Sequence, residues 1–292
     1  MKDIIMSVIK KRVVSAIYLI TLFTFYGCNS EEFDEYSITS SFKQNPYDFV
    51  GEYHNEGLLY VLQSLKTEIQ VETRSIQTLL LEEEIQRLTE SYCERNILEN
   101  KGIQYPFDVE KYTILNSFTL SNTRTISQDC SNKVQYYLNK LLKCIKNPRD
   151  IKSLDEFNQM ISRYEQEILQ SNLTEEEEAI ILVSYAVGRY SLKFWLDVSD
   201  KSTSPVIKTR SESFSDWWSA KVTPAVAAIV EADILGAIAG ATEGAIAGAT
   251  GGTAVVPGPG TVTGAVSGAV AGGSTGAIYG SAVGGVVYFF SR

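Results

Sequence analysis

The sequence has one histidine in 292 residues, His54, and only three methionines. A single imidazole rules out any two-histidine metal site and leaves little of the commonest general base. Cysteines number four, and no two stand at a zinc-type spacing. Basic residues are outnumbered, 26 Lys and Arg against 35 Asp and Glu, a formal net charge of −9. A chain of that sign repels phosphate backbones, so nucleic acid is excluded as a partner. From Gly244 to Ser291 there is no charged residue at all.

What fills that charge-free stretch is glycine at four-residue intervals. Gly236, Gly240, Gly244, Gly248 and Gly252 form one row; Gly264, Gly268, Gly272, Gly276, Gly280 and Gly284 form a second. Pro257-Gly-Pro-Gly260 separates them. Each glycine disfavours a helix by about 1 kcal/mol relative to alanine. A regular row therefore calls for close backbone approach, as in paired helices of the small-xxx-small kind. The spacing predicts two helices, about 222–253 and 261–290, paired antiparallel because their connection is short. Four residues per repeat exceeds the 3.6 of a helical turn, so the pair winds right-handedly. Reflection about the proline turn sets Glu243 opposite Ser274 and Thr275, which are expected to hydrogen-bond it. The second segment is long enough for a bilayer. Weak hydrophobicity and the charge on Glu231, Asp233 and Glu243 leave its surroundings open between lipid, water and another protein.

The amino terminus reads as an address. Lys2, Lys10, Lys11 and Arg12 precede an apolar run from Val13 to Tyr26, too short for a membrane span and fit for a signal-peptide core. Phe25-Tyr-Gly-Cys28 resembles a bacterial lipobox, with Phe25 where leucine is usual and Cys28 as the lipidated residue. The other reading is an ordinary signal peptide with Cys28 as a disulfide partner. Asn29-Ser-Glu-Glu-Phe-Asp-Glu35 resembles the surface-export signal of Bacteroidota lipoproteins. Loss of residues 1–27 removes four Lys or Arg and one Asp, leaving 22 basic against 34 acidic residues, a net charge of −12. Cys93, Cys130 and Cys144 then remain, with their pairing open.

Asn45-Pro-Tyr-Asp-Phe-Val-Gly-Glu-Tyr-His-Asn-Glu-Gly-Leu58 resembles a motif of uncharacterised Bacteroidota surface lipoproteins, NPYDYVG-x-x-HNEGL, a group that also carries C-terminal glycine-zipper tails. The resemblance implies no activity. His54 with Asp48, Glu52 and Glu56 could be an acid–base or metal site. The structural alternative is a helix cap at Asn45 or Asn55, packing by Tyr47 and Phe49, and tight contacts at Gly51 and Gly57.

Apolar residues recur at helical intervals from Leu58 to Val198. Ser153-Leu-Asp-Glu156 and Thr174-Glu-Glu-Glu177 are capping boxes, and Ala179–Val198 is apolar on most sides, as a central helix would be. The organisation expected is a lipoprotein signal peptide (1–27), a flexible tether (28–45), an all-α helical bundle (46–198), a linker (199–216) and a glycine-zipper helical hairpin (217–292). Trp217-Trp218 would sit at a membrane interface or plug the hairpin against the bundle.

These features predict a lipid-anchored protein of the outer membrane, displayed at the cell surface. Its hairpin would associate with the membrane or with a partner helix pair, including a second copy. The alternatives are a bacteriocin-like pore-former and an adhesion or ligand-binding module. No cofactor and no catalytic group is expected: no nucleophile–base pair is visible, and no lysine follows the glycines as a phosphate loop requires.

Overall fold

In a computed structural model, residues 44–71, 78–98, 131–146, 154–202, 224–255 and 259–290 are described. Every regular element among them is helical. The expectations for the signal peptide, Cys28, Cys130, Ser153, residues 203–216, Trp217-Trp218 and the bend at 256–258 lie outside the described residues.

Among the described residues seven α-helices follow in order: α1 Phe49–Val71, α2 Thr78–Cys93, α3 Asn132–Lys146, α4 Leu154–Leu169, α5 Glu175–Ser202, α6 Pro224–Val255 and α7 Pro259–Phe290. A π-helical turn, Glu94–Leu98, extends α2. Both long C-terminal helices open on proline, whose fixed φ suits a first turn and whose missing N–H is not needed there. The capping box at the start of α5 forms in full. Glu177 N donates to Thr174 Oγ1 at 3.1 Å, and Thr174 N donates to Glu177 Oε2 at 3.0 Å. Helix α5 runs four residues beyond Val198, so 199–202 are helix and not linker.

α5 is the axis of the molecule. Ala179 through Gly188 are buried without interruption, which a helix reaches only when neighbours cover every side. α3 meets it through Tyr185, whose hydroxyl donates to Tyr137 O at 2.9 Å. α4 contributes Phe157, Ile161 and Ile168 to the same apolar interior, and α2 contributes Ile85, Leu88 and Tyr92.

α6 and α7 lie antiparallel, and α5 packs on both. Gly188 faces Ile234 of α6; Gly273 and Gly285 of α7 face Val183 and Trp195. α5 and α7 therefore run in the same direction. One apolar cluster reaches from Leu58 in α1 to Ala282 in α7. Residues of both expected regions, 46–198 and 217–292, share that interior: most apolar residues of α6 and α7 not used on each other are buried against the preceding helices, Ile246 and Val262 remaining exposed. No helix among the described residues is long and apolar enough to cross a membrane.

Candidate functional site

The glycine rows meet at backbone contact. A Cβ built on Gly236, Gly240, Gly244 or Gly248 would fall under 3.0 Å from the carbonyl oxygen of Gly276, Gly272, Gly268 or Gly264 respectively, and each of those partners meets the first row in the same way. Gly280 meets Ala232 O at 2.8 Å. Gly252 reaches the edge of this contact, its Cα 3.2 Å from a Cβ on Gly264. Gly284 lies outside it, where a Cβ would find only ordinary contact with Ala232 at 3.5 Å. Any side chain along the tight part would push the two backbones apart. Their proximity maximises dispersion contacts and brings Cα–H groups against carbonyls. Those contacts offset glycine's helix penalty, on the order of 10 kcal/mol across both rows.

This register corrects the placement of Glu243. The pairing is centred on residue 256, so residue 243 falls beside 269, while 274 and 275 fall beside 238 and 237. The physical reason is that close contact of the glycine rows sets the register: Gly248 meets Gly264, which centres the pair ahead of the midpoint of Pro257–Gly260. Ser274 Oγ donates to Val270 O at 2.7 Å and Thr275 Oγ1 to Ala271 O at 2.9 Å, each within its own helix. Glu243 is half-buried. The Cys93 thiol also meets Thr275 and is pushed up to about 12 by burial. Cys93 and Cys144 are both free thiols.

Among the described residues the acid at 0% exposure is Asp233, which the sequence marks only as one of the charges of the first glycine segment. Its Oδ2 accepts hydrogen bonds from Ser191 Oγ of α5, from Ser281 Oγ of α7 at 3.0 Å and from Trp195 Nε1 of α5 at 3.3 Å. His54 of α1 completes the cluster, with Nε2 3.6 Å from the same oxygen and both side chains at 0% exposure. Four helices thus converge on one carboxylate. Burial raises Asp233 to about 7 even though the three donors work against the rise. Burial likewise lowers His54 to about 4, opposed by its bond to Asn55.

The network defines the tautomer. Asn55 Nδ2 donates to Tyr190 O at 3.3 Å, which leaves Asn55 Oδ1 as the acceptor facing His54 Nδ1 at 2.9 Å. In neutral His54 the proton is accordingly on Nδ1, and Nε2 turns a lone pair toward Asp233. A lone pair facing an ionised carboxylate is repulsive, so a proton on Asp233 relieves both groups. Asp233 Oδ1 and His54 Nε2 are the two atoms here without a hydrogen-bond partner. The chemistry open to this cluster is the storage of one proton. It is enclosed by α1, α5, α6 and α7, and no substrate reaches it. Among the described residues no group of His, Cys, Asp and Glu could hold a metal ion.

The other acidic residues near His54 in sequence are kept apart from it. Asp48 pairs with Arg189 and accepts from Tyr190 Oη at 3.1 Å. Glu56 accepts from Tyr92 Oη at 3.1 Å. Asn45 forms a turn ahead of α1 instead of capping it, its Oδ1 accepting from Tyr47 N at 2.9 Å, while its Nδ2 donates to Glu165 Oε1 at 2.8 Å and Leu182 O at 3.0 Å. Gly51 lies under the Tyr190 ring, and Gly57 lies against Ile278 and Tyr92. The 45–58 motif is therefore a docking strip that fastens α1 to α5, α4 and α7.

No family model, no curated protein and no solved structure matches the chain.

Proposed function

We propose that the chain is a lipid-anchored protein of the outer membrane, displayed at the cell surface, that acts without catalysis. Its architecture in this reading is an N-terminal helical bundle closed around a C-terminal glycine-zipper hairpin, with Cys28 bearing the lipid. One observation carries the role of the hairpin: its glycine rows are used on each other, and much of its remaining apolar surface is covered by α5, α1 and α2. The partner helix pair that such rows call for lies within the chain itself, and attachment to the membrane falls to Cys28. The enclosure of His54 at 0% exposure supports a non-catalytic reading, since the single imidazole is out of reach of any substrate.

The test is fractionation of cells expressing the wild-type chain or Cys28→Ala, with protease treatment of intact cells. The wild-type chain is expected in the outer membrane and cleaved from outside, and Cys28→Ala in the soluble fraction. A wild-type chain that takes up no fatty-acid label would sink the reading.

A second reading, membrane permeabilisation, is favoured by one feature: an uncharged helix is sheathed by amphipathic ones, so that unsheathing would present it to lipid. Dye release from liposomes by residues 29–292 tests it against Gly240→Leu and Gly268→Leu. Absence of release by the wild-type chain rejects it.

A further inference from the structure

We propose that His54 and Asp233 form a proton-exchange latch for α1: when α1 lifts off the α6–α7 pair, one proton passes from Asp233 to His54, and it returns when α1 docks. The latch goes beyond the anchored, non-catalytic reading and does not depend on it. The cluster divides at one place. Ser191 and Trp195 of α5 and Ser281 of α7 donate to Asp233 Oδ2, so the carboxyl group stays with α5 and the hairpin. α1 reaches it through His54. Lifting α1 also uncovers α7 at Ile278, where Gly57 lies.

The closed arrangement places one proton on the acid. The Nε2–Oδ2 separation is 3.6 Å, longer than the roughly 2.8 Å of a charge-assisted N–H···O bond, so the two do not share a hydrogen as an ion pair. Asn55 Nδ2 is held by Tyr190 O, which keeps Asn55 Oδ1 facing His54 Nδ1 and the imidazole hydrogen on Nδ1. Nε2 is left bare. Oδ2 is filled by its three donors, which leaves the proton to Oδ1, a buried oxygen with no partner.

Water reverses the ranking of the two groups. Their ordinary values are 6.5 for His54 and 3.8 for Asp233, whereas burial sets them at about 4 and about 7. On opening, the O–H bond of Asp233 breaks, its electron pair stays on the carboxylate, and an N–H bond forms at His54 Nε2. The carboxylate keeps three donors that favour its charge, and the imidazolium enters water. Solvent neither supplies nor receives a proton in the balance.

The charges on the surrounding helices are engaged elsewhere. On α1, Asp48 pairs with Arg189 of α5, Glu52 accepts from Tyr190 Oη, and Glu56 accepts from Tyr92 Oη of α2. Glu231 of α6 pairs with Lys146 of α3, and Lys193 of α5 with Asp197. Cys93 of α2 bonds Thr275, and α7 carries no charged residue. Both shifts in the pair arise from burial and from neutral hydrogen-bond partners.

The consequence is compensation. Between about pH 4 and 6.5 the closed and open states each hold one proton on the pair, so the docking of α1 is nearly independent of pH. Either group alone gives a slope approaching ten-fold per pH unit. With His54 alone, docking weakens as pH falls; with Asp233 alone, it weakens as pH rises.

The test is amide hydrogen exchange of the full chain at pH 4.5 and 6.5, corrected for the intrinsic exchange rate. Protection of α1 is expected to stay within about two-fold in the wild type, to rise about thirty-fold or more over that span in Asp233→Asn, and to fall by as much in His54→Leu. Peptides of α5 and α6 should change less. A wild-type slope as steep as that of either variant overturns the latch, and so does an equal change in α1, α5 and α6, which would mean that the pair responds only to global unfolding. The single histidine supplies a second measurement that needs no variant. In nitrogen-15 spectra of the wild-type imidazole at pH 5.5, a protonated Nδ1 and a bare Nε2 are expected, and an imidazolium or an Nε2–H tautomer overturns the proposal.

Discussion

His54 Nε2 stands 3.6 Å from Asp233 Oδ2, and neither side chain touches solvent. The two groups depart from their ordinary pKa values in opposite directions, and the signs give a pH prediction. Asp233 rises from 3.8 to about 7, so the native state holds a proton that the unfolded chain has released. Its contribution to stability is present below pH 3.8 and is lost as pH rises through about 7. His54 falls from 6.5 to about 4, so its contribution is present above 6.5 and is lost as pH falls through about 4. Asp233→Asn removes the first dependence. Relative to wild type, its melting temperature is expected to climb between pH 4 and 8. Parallel melting curves for the two proteins would reject the assignment.

Substitutions in the glycine rows should divide by position. Gly240→Ala and Gly268→Ala put a methyl group against a facing carbonyl; overpacking of this kind destabilises by about 1–3 kcal/mol. Gly284→Ala meets only ordinary contacts and should stabilise by up to about 1 kcal/mol through helix propensity. Urea denaturation measures both, and a uniform response across the three variants would show that the register is different.

Asn45→Ala withdraws a donor from Glu165 and from the Leu182 carbonyl, both buried. The expected loss is about 1–3 kcal/mol for two buried acceptors that each lose a donor, Glu165 keeping Arg189 at 3.5 Å. Amide exchange should rise along α1 more than along α6 if the docking strip fastens that helix.

Thr174→Ala removes the Glu177 N to Thr174 Oγ1 bond of the capping box, leaving the bond from its own backbone N–H to Glu177 Oε2, and should cost about 1 kcal/mol. Restoration by Thr174→Ser, read in the same denaturation series, separates capping from any packing role of the threonine methyl.

The four-residue glycine interval and the capping box at Thr174 were legible because each depends on residues close in sequence. The helical interval alone dictates which side of α6 the glycines occupy. Pairing between helices was harder to read. Contact between the glycine rows puts the centre of the pair about two residues ahead of the midpoint of Pro257–Gly260, enough to carry Glu243 away from Ser274 and Thr275. Asp233 was missed for a related reason. Its donors sit on α5 and α7 and its neighbour His54 on α1, so its burial emerges only when three separate packings are known together. The motif around His54 was legible as a structural strip; its acidic residues take partners on other helices, which spacing within α1 does not reveal.

The enclosure of Asp233 has a kinetic side. A proton cannot reach or leave its carboxylate while α1, α5, α6 and α7 remain closed around it, so exchange must wait for a parting of those helices. After a jump in pH, the lag before this one acid re-equilibrates would report how often the glycine pair and its sheath come apart.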